Sequence, residues 1–112
     1  MRKLSALMLL VMAALWFLPA TLAAQDPPGK TAFLENKCNV CHTIESQAIE
    51  KTSKMAGPDL SDAGNLVESA AWLKGFLLKE NETEAGKHKK TWSGTDEQLE
   101  AIIGWVMGLK KS

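Results

Sequence analysis

Residues 38–42 read Cys38-Asn39-Val40-Cys41-His42. Two thiols three positions apart, followed at once by a histidine, have the spacing of covalent c-type haem attachment. On one helical turn, positions i, i+3 and i+4 share a face. Cys38, Cys41 and His42 can therefore all address one flat cofactor, the cysteines by thioether bonds to its edge and the histidine through its iron. The chain has no other cysteine, so neither a disulfide framework nor a four-cysteine metal site competes. A zinc site from Cys38, Cys41, His42 and His88 fits the usual zinc spacings poorly, because Cys41 and His42 are adjacent. A thioredoxin-like dithiol lacks the strand–helix–strand context that it needs.

Upstream, Arg2-Lys3 precedes an apolar run from Leu4 to Leu18 and a small-residue stretch, Pro19 to Ala24. A basic start, an apolar middle and small residues at a cleavage point make residues 1–24 a secretory signal peptide. The alternative is an uncleaved membrane anchor, since Leu4 to Ala24 carries no charge over 21 positions, about enough to cross a bilayer. Cleavage after Ala24 leaves 88 of the 112 residues, 25–112, as one exported domain. The expected location is periplasmic or otherwise outside the cytoplasm, with no stable membrane insertion after cleavage. That domain keeps 11 basic against 13 acidic residues. It has no clustered basic face of the kind nucleic acid requires. A domain this small needs a staple, and a buried, covalently held haem supplies one.

Past the Pro27-Pro28 lead-in, which reads as flexible, a short helix is expected from about Lys30 into the cysteine motif, with Phe33 and Leu34 as its apolar face. Residues 43–55 are polar and read as loop, punctuated by Gly57-Pro58. From Leu66 to Lys79 the apolar spacing is helical and broad. Residues 81–91 break that pattern. Thr95-Asp96-Glu97-Gln98 is a capping-box signature. It opens a last helix whose Leu99, Ile102, Ile103 and Val106 fall at i, i+3, i+4 and i+7, with Lys110-Lys111 at its carboxyl end suiting the helix dipole. Nothing alternates like a strand, and the domain reads as all-α.

Taken together, these residues resemble the monohaem class I cytochrome c family over Gly29 to Lys111. The most specific element is Cys38-Asn-Val-Cys41-His42; the second is Gly57-Pro58-Asp59-Leu60, similar to the family's Gly-Pro-Asx-Leu segment. The resemblance implies three to four helices around one covalent haem c and its iron. Cys38 and Cys41 would be the attachment points and His42 the proximal iron ligand. It further implies that the Pro58 carbonyl accepts the His42 Nδ1 proton, which fixes the tautomer and makes the ring a better ligand. Trp105 would pack the last helix against Phe33 or Leu34 of the first, with Gly104 permitting close approach.

One feature departs from the family pattern. The family usually supplies a methionine as sixth ligand from the loop before the last helix, and this chain has none between Met55 and Met107. His88, the one histidine besides His42, stands in that loop, which makes it the candidate distal ligand. Met55, Met107, Lys89, Lys90 or no protein ligand are the alternatives. Met55 precedes the Gly-Pro segment and belongs on the proximal side; Met107 lies in a helix and reads as packing. Imidazole in place of methionine sulfur lowers the expected reduction potential.

Trp92 either walls the haem pocket, with its indole N–H on a propionate, or simply anchors the loop. Lys87, Lys89 and Lys90 read as a solvated loop that can also steer an acidic redox partner. The expected function is single-electron transfer between redox partner proteins, as a monomer or the small subunit of an oxidoreductase. The alternative is a haem-based sensor or gas-binding protein with a displaceable or absent sixth ligand. No nucleophile–base pair or paired catalytic carboxylates point to an enzyme.

Overall fold

Four α-helices organise the described residues: α1 (Pro28–Glu35), α2 (Ala63–Leu66), α3 (Ala70–Leu77) and α4 (Asp96–Met107). The structure is a computed structural model that describes residues 25–55 and 57–112. The segment read as a signal peptide lies outside the described residues. No helix among those described is long and apolar enough to cross a membrane. The architecture is all-α, with one minimal hairpin, β1 (Glu82–Thr83) antiparallel to β2 (Gly86–Lys87). Two residues per strand are too few for any alternation to register in the sequence, so the segment read as a mere break is in part paired backbone.

α1 starts two residues earlier than the lead-in's composition implies. Pro28 occupies its first turn, where a missing N–H costs nothing and the fixed φ is already helical. The helix also ends before the cysteine motif instead of running into it. The Asn36 side chain turns back to donate to the Ala32 carbonyl at 2.8 Å, a local bond that competes with helix continuation. Lys37 then adopts φ 58°, a left-handed conformation that reverses the chain. The motif lies on a separate 3₁₀ turn, Cys38–Val40. Three residues per turn eclipse positions i and i+3, so Cys38 and Cys41 still share a face.

The apolar run expected as one helix from 66 to 79 is divided between α2 and α3. Val67 is extended, at φ −81° and ψ 134°, and the Ser69 hydroxyl accepts the Trp72 N–H at 3.0 Å to cap α3. Leu66, outside the buried stripe, is 76 % exposed. α4 follows its sequence reading closely. The Thr95 and Gln98 side chains cap each other's backbone N–H groups at 3.1 and 3.0 Å, and Leu99, Ile102, Ile103 and Val106 are all buried.

The central contact is α1 on α4. Phe33 is 1 % exposed and meets Trp105 edge to face, ring centres 5.6 Å apart. Leu34 points outward at 39 % exposure, so Phe33 is the partner. The close approach is made at Gly29 and not at Gly104. A methyl group on Gly29 would overlap the Trp105 Cβ and the Ala101 carbonyl, whereas one on Gly104 meets nothing within 4 Å. Opposite signs are expected. Gly29→Ala should destabilise the protein by about 1–3 kcal/mol through overpacking. Gly104→Ala should stabilise it by about 0.5–1 kcal/mol through helix propensity. Denaturant unfolding of the two variants checks this, and equal shifts would contradict the packing described.

Beneath the motif, Ile44 and Ile49 pair as an antiparallel bridge and both are buried. Ser61, 2 % exposed, donates to Asp59 Oδ1 at 2.7 Å and accepts the Ser46 N–H at 3.0 Å. Asp59 Oδ1 also accepts the Ser61 N–H at 2.9 Å, so Asp59 caps its own turn. The Ser61 hydroxyl is the chief cause holding the Asp59 carboxyl below the carboxylate range. A depressed folded value stabilises the fold above the unfolded pKa, ordinarily 3.8, and the benefit fades as pH falls through the folded value. Ser61→Ala should therefore cost about 1–2 kcal/mol at pH 7, and urea titrations should show a smaller deficit below the carboxylate range.

Candidate functional site

The haem motif, the Gly57–Leu60 segment, α3, α4 and the loop after β2 surround one cavity of about 680 Å³, inside the usual range of roughly 300–1,000 Å³ for cofactor sites. Its walls are mainly apolar, with Leu60, Val67, Leu73, Phe76, Ile102 and Val106 among the lining side chains. Cys38, Cys41, His42, Pro58, His88 and Trp92, all singled out by sequence, line this same cavity. Lys37, Lys87, Lys89 and Lys90 also line it, and no Asp or Glu does. The lysines read as a solvated loop therefore stand at the cavity wall.

On the motif side, both cysteines are half-buried. Burial pushes the Cys38 thiol up, and the Lys90 ammonium partly offsets that. His42 Nδ1 lies 2.9 Å from the Pro58 carbonyl. A carbonyl can only accept, so Nδ1 carries the proton and Nε2 keeps a lone pair for a metal. Burial lowers the His42 pKa and so favours the neutral imidazole that can bind a metal, and the Pro58 bond partly opposes this by raising it. Gly57 is required here because a methyl group at that position would collide with the Cys41 carbonyl and come within 3.1 Å of His42 Nδ1. The sequence marks Gly57 only as punctuation, and its steric role needed the fold.

The opposite side is built on the same pattern. His88 Nδ1 lies 2.9 Å from the Lys90 carbonyl, which again leaves Nε2 as the donor. The His42 and His88 rings are parallel within 1°, with centres 6.2 Å apart. Phe76 presents edge to face against His88 at 5.3 Å and stacks on Trp72 at 5.2 Å.

Of the competing ligands, Met55, Lys89 and Lys90 also line the cavity. Met55 Sδ is 3.7 Å from Cys41 Sγ, on the motif's side of the cavity. Met107 packs against the core cluster and does not line the cavity. The Lys90 ammonium donates to the Asn36 carbonyl. The zinc reading lacks its donor set: among the described residues no three His, Cys, Asp or Glu side chains gather around one point.

The cytochrome c family model matches residues 27–110. The chain belongs to the cytochrome c family. It is thus a haem-binding electron-transfer protein, of a family whose iron sits in covalently bound haem c. No curated protein and no solved structure matches it. The residues present in this cytochrome fit such a group. The apolar walls suit a macrocycle, and two thiols with a tautomer-fixed imidazole would provide attachment and ligation. One further feature calls for a ligand: Trp92 Nε1 is buried without a hydrogen-bond partner among the described residues. A buried donor left unpaired is costly and asks for an acceptor, which a haem propionate carboxylate would provide.

Proposed function

We propose that this cytochrome carries one haem c joined to Cys38 and Cys41, with His42 and His88 as its two axial ligands. We propose further that it passes single electrons between redox partner proteins outside the cytoplasm. Bound haem c supplies a one-electron ferric/ferrous couple. The observation that carries this reading is the pair of parallel imidazoles, each with Nδ1 on a backbone carbonyl. Metal–imidazole bonds of about 2.0–2.1 Å, with roughly 1.1 Å from nitrogen to ring centre, set two rings on one ion about 6.3 Å apart. The observed 6.2 Å agrees. Rings in direct face contact would lie nearer to about 3.5–4.0 Å.

The chain's own residues then have distinct tasks. Pro58 holds His42 in its ligating tautomer, the apolar wall excludes water, and the Trp92 Nε1–H would donate to a propionate oxygen. Two protein ligands leave no open iron position, which supports electron exchange over catalysis or gas binding. Absorption spectra of the purified holoprotein test this directly. A low-spin ferric spectrum without a methionine–iron charge-transfer band, and a ferrous form slow to take carbon monoxide, are expected. Rapid, tight carbon monoxide binding by the native protein would favour a gas sensor instead.

A further inference from the structure

We infer that Lys90 is a positioning residue for the distal ligand, its side chain tethering the His88 loop to the carboxyl end of α1; this rests on His88 being an axial ligand. Nothing covalent fixes that loop on the distal side of the cavity, and Lys89, Lys90 and Thr91 are exposed. Orientation of the His88 ring depends on the Lys90 carbonyl, and that carbonyl is only as well placed as its own residue.

The Lys90 side chain supplies the placement. Its ammonium donates to the Asn36 carbonyl, 54 positions away in sequence. Asn36 is the C-cap of α1, where carbonyls lack intrahelical partners and the helix dipole is negative. A lysine there satisfies a group that the helix itself leaves open. Asn36 also stands two residues before Cys38, so one bond joins the segment carrying the distal histidine to the start of the attachment motif. Phe76 restrains the same ring from α3, and Trp92 anchors the loop on its far side by packing against the core. Lys110, of equal charge but exposed and outside the cavity lining, is the control.

Carbon monoxide binding to the ferrous holoprotein tests the tether, because the ligand is uncharged and must wait for His88 to leave. Lys90→Ala should accelerate it about tenfold, the low end of what outer-shell replacements cost a metal site. Lys90→Met, which keeps the stem and drops the ammonium, should behave alike, and Lys90→Arg should restore slow binding. Lys110→Ala should match the native protein. The ferric paramagnetic resonance spectrum should move from one rhombic low-spin signal, expected of parallel imidazoles, to a broader distribution in Lys90→Ala alone. Native-like rates and spectra in Lys90→Ala and Lys90→Met, or the same change in Lys110→Ala, would overturn the assignment. Rapid binding in the native protein itself would instead overturn His88 ligation, a failure visible before any variant is made.

Discussion

His88→Ala is expected to open the iron. The ferric holoprotein should lose its low-spin spectrum, and its ferrous form should bind carbon monoxide more than about 100-fold faster, beyond the range seen for outer-shell losses. The reason is the arrangement around the cavity. His88 pairs with His42 as parallel rings, within 1°, on the cavity lining. Three of its possible replacements are committed: Met55 lies beside Cys41, Met107 is in the core, and Lys90 is on Asn36. His88→Met should keep six coordination while raising the reduction potential, since a thioether opposite imidazole favours the ferrous state. A redox titration with optical monitoring measures it. A His88→Ala protein indistinguishable from native would remove His88 from the iron.

Phe33→Ala should produce the largest loss of stability, about 3–5 kcal/mol by the usual range for phenylalanine truncation in a core. Phe33 is 1 % exposed. It forms the edge-to-face pair with Trp105 and also lines the haem cavity. Its removal thus opens the α1–α4 contact and the cavity wall together. Domains of this size have only about 5–15 kcal/mol in total, so unfolding should fall to a much lower denaturant concentration. Leu34→Ala, at a side chain 39 % exposed, should shift it little. A comparable loss in both variants would mean that α1 presents a different face to α4.

These two positions mark where the sequence was legible and where it was not. Periodicity admits either Phe33 or Leu34 as the partner of Trp105, because both sit on one apolar edge of a short helix. Burial separates them. His88 could be nominated only by elimination, from a missing methionine. Its ring orientation and its Lys90 partner had no signal in composition or spacing. Phe76 falls inside the apolar run read as helix, and its contact with His88 depends on how α3 meets the loop after β2. Gly104 was the wrong glycine for the same reason. An apolar helix with a glycine suggests close approach, but Gly29 lies at the crossing point and Gly104 faces away.

What the chain determined alone is what acts over a few residues. The Cys38-to-His42 spacing names the cofactor, and Thr95 with Gln98 starts α4. The stripe from Leu99 to Val106 chooses the buried face, and Gly57-Pro58 places a carbonyl behind His42. Each rests on bonds within a turn or two, where backbone geometry leaves few alternatives. The tertiary structure decided the rest: the break before Cys38, the division of α2 from α3, the glycine under Trp105 and the imidazole opposite His42. These depend on groups tens of residues apart, such as Lys90 and Asn36. Their meeting follows from how helices pack and loops close, which no local pattern encodes.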